Sequence, residues 1–264
     1  MTLLFIYLAV GAVAGLMAGL FGIGGGLVIV PGLVITFEVL GFPVEVLTHM
    51  AVGTSLATIA FTSISSVRTH HQKGAVDWSL VRLLSIGILL GAVLGVFTAN
   101  SLSGAGLQLA IGVCALLVAA QMGLGLKPKP TRSLPANKGL VGSGVAVGWA
   151  SAIFGIGGGS LMVPFLTWCN TPMQRSVAVA AACGFPIALV AGITNIVVGW
   201  NNELLPANTL GYVYWPAFLA IVITSVPCAR LGAKLAHRLS PEKLKKCFAI
   251  MLVVVGFKFL TASL

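Results

Sequence analysis

The sequence F-G-I-G-G-G occurs twice in this chain, at 21–26 and at 154–159. Three consecutive glycines strongly disfavour a continuous helix. We therefore expect the chain to unwind at Gly24, Gly25 and Gly26, and again at Gly157, Gly158 and Gly159, and to start a new helix after each run. The first N–H groups of a helix have no intrahelical acceptor and lie at the positive end of its dipole. Each run therefore predicts an anion-binding site.

The alternative interpretation of these glycines is close helix packing, because small residues let helices approach one another. That interpretation is the better one for isolated glycines such as Gly91 and Gly95. For the two triple runs, the duplication of the whole motif favours a more specific role. Both interpretations stay open at this point.

A helix dipole cannot hold an anion by itself where the surroundings have a low dielectric constant. Removing a small ion from water costs on the order of tens of kcal/mol, and the dipole returns only about 0.3–2 kcal/mol. Charge-assisted hydrogen bonds, at about 1.5–3 kcal/mol each, must supply most of the difference. The hydroxyl and amide side chains that we expect to contribute them are Ser160, Thr54, Ser55, Thr58, Thr194 and Asn195.

The candidate gating or coupling residues are few. Glu38, Glu45 and His49 lie close together in the sequence, and they would either take part in proton coupling or form a solvated mouth of the pathway.

Arg175 would either draw anions toward the pathway or anchor a helix end at the interface. Pro31 and Pro164, which follow the two glycine runs at the same distance, complete the set of gating candidates.

The pattern of reactive residues does not indicate an enzyme. The acids all lie near the ends of apolar segments, and the chain contains no HExxH motif and no evident Ser–His or Cys–His pair. The five cysteines lack metal-type spacing and are typical of small packing residues. We expect no catalytic residues, no cofactor and no metal.

The composition indicates that lipid surrounds most of the chain. Of 264 residues, 58% are hydrophobic and 8% are charged, whereas a soluble domain carries about 25% charged residues. The net charge of +10 does not indicate a nucleic-acid partner, because the basic residues lie in the short gaps between apolar runs. The expected fold is all-α and polytopic, with the lipid bilayer as a partner.

About ten apolar segments approach the length of a membrane-spanning helix. They are 3–21, 26–41, 46–67, 79–100, 105–126, 139–154, 159–170, 176–199, 209–231 and 244–262. A polar, proline-rich stretch at 127–138 divides the chain into a first repeat, 1–126, and a second repeat, 139–264.

The two halves resemble each other at the sequence level. Residues 21–33 align with 154–166 at an offset of 133, and AVGTSLA at 51–57 aligns with AVAAACG at 178–184. Each half has five segments, so the second copy should be inverted in the membrane, as in many secondary transporters. Ala181-Ala182 replaces Thr54-Ser55 in the second copy, so the expected site is not symmetric.

The distribution of positive charge predicts an orientation. All of the 15 basic residues except Lys258 fall at odd-numbered connections between the segments. The positive-inside rule therefore places those connections in the cytoplasm and both termini outside it.

The two F-G-I-G-G-G copies with their following Val-Pro, the AVGTSLA stretch and the passage KGAVDW at 73–78 resemble the sulfite exporter TauE/SafE family over essentially the whole chain. The resemblance implies a transporter of the cytoplasmic (inner) membrane that moves sulfite, a sulfonate or a related organosulfur anion. An anion channel of the same fold is the alternative. The expected partners are the small anion, a coupling ion (H⁺ or Na⁺) and further copies of this chain.

Overall fold

The computed structural model describes residues 2–21, 24–123, 133–235 and 241–262. The first half of the expected linker at 127–138 lies outside these ranges; residues 133–136 have no regular structure, and 137–138 already belong to α6. The described residues are almost all helical. Their ten helices are α1 (Thr2–Phe21), α2 (Gly26–Val39), α3 (Val44–Gln72), α4 (Trp78–Ser101), α5 (Gly104–Gly123), α6 (Asn137–Phe154), α7 (Gly159–Trp168), α8 (Met173–Gly199), α9 (Trp215–Leu235) and α10 (Pro241–Ala262).

One helix lies at each of the ten apolar segments, but the ninth segment was predicted wrongly at its start. Residues 209–214 form a β-hairpin, in which β1 (Thr209–Leu210) pairs antiparallel with β2 (Val213–Tyr214). Asn208 and Gly211 both have positive φ, which breaks a helix. The helix α9 starts only at Trp215, and Pro216 occupies its first turn, where a missing N–H is tolerated.

Local signals set the start of the long inner helices. Asp77 caps α4, because its carboxylate accepts hydrogen bonds from the amides of Ser79 and Leu80. The helices α3 and α8 each begin directly after a proline, Pro43 or Pro172.

Close glycine contacts join helices of the two halves. A Cβ on Gly15 of α1 would lie 2.3 Å from the carbonyl oxygen of Ser225 in α9, and one on Gly91 of α4 would lie 2.1 Å from that of Val145 in α6. Gly95 makes the same kind of contact with α6. The packing interpretation of the isolated glycines is therefore confirmed.

The centre of the molecule is formed by α3 and α8, which run antiparallel. Gly53 and Gly199 both contact Tyr212, and Ala57 lies beside Gly192, so residue numbers rise along α3 as they fall along α8. Four-residue connections join α2 to α3 and α7 to α8, and connections this short join antiparallel neighbours. It follows that α2 and α7 also run in opposite directions.

Six of the described helices are long and apolar enough to cross a membrane: α1, α3, α4, α5, α8 and α9. By contrast, α2 has 14 residues and α7 has 10. At 1.5 Å per residue they measure about 21 and 15 Å, less than a bilayer core of about 30 Å. The chain is a polytopic, all-helical membrane protein, and these two helices are too short to span the membrane alone.

Candidate functional site

Both glycine runs interrupt the helices, as predicted. After α1 ends, Gly24 and Gly25 form a turn with φ values of 74° and 78°, and α2 begins at Gly26. After α6 ends, Gly155 and Gly158 have φ values of 67° and 76°, and α7 begins at Gly159. Only glycine adopts this left-handed backbone at little cost.

The two turns cross in direct backbone contact. A Cβ on Gly24 would lie 2.8 Å from the Cα of Gly157, and one on Gly157 would lie 3.0 Å from the Cα of Gly24. A Cβ on Gly26 would lie 2.2 Å from the carbonyl oxygen of Gly155. Since α2 and α7 run in opposite directions from this crossing, their N-termini meet end to end.

The crossing leaves amide groups and hydroxyl groups without acceptors. The first amides of α7 to bond are those of Leu161 and Met162, both to the oxygen of Gly158, so the N–H groups of Gly159 and Ser160 have no acceptor within the helix. Ser160 is 8% exposed, and its buried hydroxyl makes no hydrogen bond to the described residues. The same holds for Ser151, which is fully buried and lies beside Gly158.

A narrow cavity lies beside the crossing, with room for about one water molecule. Its lining carries no charge and consists of Ala18, Gly24, Ser63, Ser66, Gly157, Ala181 and Gly184. Ser63 donates its hydrogen bond to the oxygen of Ala60. The Ser66 hydroxyl is buried and makes no hydrogen bond to the described residues, so it is available to a guest in the cavity.

Several predicted helper residues bond to the protein itself. Ser55 donates to the oxygen of Gly155 (2.8 Å) and thereby fixes the second turn against α3. Thr58 donates to the oxygen of Ser55. Thr194 and Asn195 donate to carbonyl oxygens one turn earlier in α8. Thr54 bonds to the β-hairpin, as described below. None of these five side chains lines the cavity.

Ser63, Ser66 and Ser151 were not predicted from the sequence. A signal for Ser66 exists, because hydroxyl residues recur along one side of α3 at a spacing of four: Thr54, Thr58, Thr62 and Ser66, all buried. Such spacing places side chains on one face of a helix. In a helix enclosed by apolar neighbours, that face marks a polar strip.

Comparison with known proteins agrees with this picture of a multi-helix membrane protein. The model of the family described as "Sulfite exporter TauE/SafE" matches residues 7–259. The chain belongs to the TauE/SafE family. A "Probable membrane transporter protein" of Haemophilus influenzae is 40% identical over 261 residues, covering 97% of both chains. Another of that description, from Methanocaldococcus jannaschii, is 28% identical over 260 residues, covering 96% of this chain and 94% of that protein.

The "Probable membrane transporter protein YunE" of Bacillus subtilis is 26% identical over 273 residues, or 95% of each chain. No solved structure matches the chain. The family and the names of these relatives indicate a membrane transporter, not an enzyme.

The candidate coupling residues do not form one cluster. Glu38 pairs with Lys258 of α10 at 2.7 Å instead of approaching His49. His49 is 6% exposed, so the expectation of a solvated residue at the mouth is wrong for it. Its Nε2 lies 3.0 Å from the oxygen of Ala99, and its ring stacks on Tyr212.

Arg175 forms an ion pair with Asp77, the cap of α4. Partial burial pushes the pKa of the Asp77 carboxyl upward, but hydrogen bonds from the Leu80 amide, the Arg175 guanidinium and the Ser79 amide outweigh this and hold the pKa below its usual value. The pair joins the start of α8 to the start of α4. The negative charge of Asp77 therefore balances the positive charge of Arg175, which weakens the hypothesis that Arg175 attracts anions to the pathway.

Pro31 and Pro164 occupy the sixth position of α2 and of α7. A proline there has no N–H to give to the carbonyl four residues earlier, which is Leu27 in α2 and Ser160 in α7. Each short helix therefore has one carbonyl near its start that lacks its helical donor. This placement is compatible with a hinge beside the crossing.

Proposed function

We propose that the chain is a secondary transporter that moves a small sulfur-containing anion, such as sulfite or a sulfonate, across the cytoplasmic membrane. The observation that carries the proposal is the contact of Gly24 with Gly157, which brings the N-termini of α2 and α7 end to end. Two positive dipole ends repel each other unless negative charge or water lies beside them. A bound anion in the adjacent cavity would relieve that repulsion.

The chemistry of the crossing suits an anion better than a cation. The Ser66 hydroxyl lines the cavity, and the amides of Gly159 and Ser160 and the hydroxyls of Ser160 and Ser151 lie at or beside the second glycine turn. All of these groups can donate hydrogen bonds. At about 1.5–3 kcal/mol each, several such bonds are of the size needed to offset a partly hydrated anion's loss of water. No carboxylate lines the cavity, so no formal negative charge there repels an anion.

We further propose that the two halves are inverted repeats. The turn after α2 and the turn after α7 have the same three backbone hydrogen bonds, including Phe42 N to Phe37 O in one and Thr171 N to Leu166 O in the other. The positive-φ residues Gly41 and Asn170 occupy matching places in them. These pairs are offset by 129 residues, whereas the glycine runs are offset by 133, because α7 is four residues shorter than α2.

The packing of the helices also supports the repeat. The first helix of one half packs along the fourth helix of the other in both combinations, α1 with α9 and α6 with α4. The third helices pack against each other, as do the fifth. If each helix is replaced by its counterpart in the other half, the same set of packed pairs results. This is the packing expected when a two-fold axis relates the two halves.

Ten segments with two half-length members fit this arrangement in a bilayer. In the orientation that we propose, both termini lie outside the cytoplasm, α2 runs outward from the crossing and α7 runs inward. Lys258 is the one basic residue at odds with the positive-inside rule, and its ion pair with Glu38 offsets its charge. The exception therefore does not count against the orientation.

The transport test uses purified protein in liposomes and a panel of sulfite, thiosulfate, a short alkanesulfonate and sulfate. We expect saturable uptake of at least one sulfur anion. Ser160→Ala should lower that uptake, whereas Ser143→Ala should not, because the Ser143 hydroxyl is exposed and bonds only to the oxygen of Gly139. Absence of saturable uptake across the panel would refute the proposal. Uptake that rises without saturation would favour an anion channel.

A further inference from the structure

The β-hairpin at 209–214 is unusually buried for a connection between helices, which normally runs over the surface. Tyr212 is 5% exposed and Val213 is 2% exposed. Gly211, at the turn, has a φ of 52°, and a Cβ there would lie 2.2 Å from the oxygen of Ile196 in α8. The hairpin is therefore inserted into the helical core.

Backbone hydrogen bonds tie the hairpin to both central helices. The Tyr214 amide donates to the hydroxyl oxygen of Thr54 in α3 (2.9 Å), and the Tyr212 amide donates to the carbonyl oxygen of Asn195 in α8 (3.3 Å). Gly53 and Gly199 provide the space, since a Cβ on either would lie within 2.8 Å of the Tyr212 backbone. Thr54 and Asn195, predicted as substrate ligands, thus hold the hairpin.

The Tyr212 side chain adds a second set of contacts. Its ring stacks on His49 with centroids 5.4 Å apart. Its hydroxyl donates to Asn100 at the end of α4 (3.0 Å) and accepts a hydrogen bond from Asn202 (3.2 Å). One residue of the hairpin therefore joins α3, α4 and the chain that follows α8.

The hairpin lies directly above the crossing of the glycine turns. Thr54 precedes Ile59 by five residues along α3, which is about 8 Å of helix. The Ile59 side chain lies within 3.3 Å of the Cβ positions of both Gly24 and Gly157. A solute that moved from the crossing along the α3–α8 interface toward this end would reach Tyr212, which contacts Gly53 of α3 and Gly199 of α8.

We propose that the hairpin is the gate that closes the anion site at the end where α3 begins, which is the outer side in the proposed orientation. This inference rests on the proposed function.

The corresponding connection of the first half, before α4, carries Asp77, which pairs with Arg175 at the other end of α8. The segment before α9 thus contacts α3, and the segment before α4 contacts α8, so the same arrangement occurs in both halves. Opening at one end requires release of the hairpin, and opening at the other requires release of the ion pair.

The test measures access to position 58, which is fully buried and lies one turn beyond Thr54 on the same face of α3. Thr58→Cys introduces a thiol there, and a membrane-impermeant maleimide is added to either face of the membrane in right-side-out and inside-out vesicles. Peptide mass spectrometry separates the label at position 58 from label on the native cysteines. Glu203→Cys, at an exposed site in the same connection, reports which face the hairpin occupies.

Two matched variants then change the hairpin. Tyr212→Phe removes the hydroxyl that joins Asn100 and Asn202, and Tyr214→Phe makes the same chemical change at a hydroxyl with no hydrogen bond to the described residues. Each typical hydrogen bond lost should raise the open population about five-fold. We expect Tyr212→Phe to speed labelling at position 58 at least five-fold from the hairpin face only, and Tyr214→Phe to leave it unchanged. Asn202→Ala, in the loop, provides a milder second variant.

Equal labelling in the Tyr212→Phe, Asn202→Ala and Tyr214→Phe proteins would overturn the gate, as would faster labelling from both faces. Because labelling needs no substrate, the result is independent of the flux panel. Faster labelling from the hairpin face together with no saturable flux would support the gate and refute only the proposed substrate class.

Discussion

The contact between Gly24 and Gly157 can be tested by adding a single methyl group at four glycines that differ in only two respects. Gly24 has both a positive φ and a close neighbour, and Gly157 has a close neighbour but no positive φ. Gly41 has a φ of 70° and no atom within 4 Å of its Cβ position. Gly142, inside α6, has neither constraint.

The expected costs follow from these two respects. Holding alanine in the left-handed region costs about 1–2 kcal/mol, and overpacking a closely packed site costs about 1–3 kcal/mol. Gly41→Ala should therefore destabilise by about 1–2, Gly157→Ala by about 1–3 and Gly24→Ala by about 2–5 kcal/mol. Gly142→Ala should stabilise α6 by up to about 1 kcal/mol, because alanine is the better helix former.

The assay is thermal unfolding of the purified protein followed by tryptophan fluorescence, with flux measured on the same preparations. For a chain of this size, each kcal/mol of lost stability should lower the unfolding temperature by about 2–4 °C. The Gly24→Ala protein should therefore unfold several degrees below the Gly41→Ala protein. Flux should survive in Gly41→Ala and fall in Gly157→Ala, which separates the helix ends. If Gly24→Ala and Gly41→Ala unfold at the same temperature, the two glycine turns do not meet and the proposed site is wrong.

Three further predictions concern polar groups. Ser66→Ala should raise the unfolding temperature, since an unpaired buried hydroxyl costs about 1–3 kcal/mol, and yet lower anion flux; a rise in both would contradict the role proposed for Ser66. Asp77→Asn should keep the cap of α4 but lose the pair with Arg175, at a cost of about 0.2–1 kcal/mol at pH 7 for so exposed a pair. The folded state lowers the pKa of Asp77, so the ion pair stabilises the native protein above the usual pKa of 3.8 and this stability is lost as the pH falls through the lowered pKa. The unfolding temperature of the variant should not show this loss at acid pH. Glu38→Gln should leave Lys258 unpaired and lower the unfolding temperature slightly, and high salt should remove the difference between the variant and the native protein.

The sequence predicted the helices well because the signals that start and stop them are local. Proline before α3 and α8, aspartate before α4 and the glycine runs before α2 and α7 act within a few residues of themselves. The hairpin at 209–214 was not predicted, because its residues, TLGYVY, are as apolar as those of the helix that follows. What holds Tyr212 in place is Thr54 and Asn195, which lie far away in the sequence.

The site was predicted less well than the fold, for the same reason. A glycine triplet predicts a break in a helix because of its own conformational freedom, and the structure shows a break at both triplets. Whether a hydroxyl faces a cavity depends on which atoms of other helices lie nearby. Ser55 looked like a ligand and instead bonds to Gly155, whereas Ser66 looked unremarkable and lines the cavity.

The two proposed gates are held by contacts of different strength, and this difference has a physical consequence for the proposed transport cycle. At one end, Tyr212 is buried and held by hydrogen bonds from several elements, and at the other, Arg175 and Asp77 are joined by an ion pair whose arginine is 53% exposed. Buried hydrogen bonds gain strength from the low local dielectric, whereas an exposed ion pair contributes little and is screened by salt. Opening at the Arg175 end should therefore cost less free energy than withdrawal of the hairpin. In the proposed orientation the Arg175 end faces the cytoplasm, so the empty transporter should favour a state that receives its anion from inside the cell, as an exporter requires.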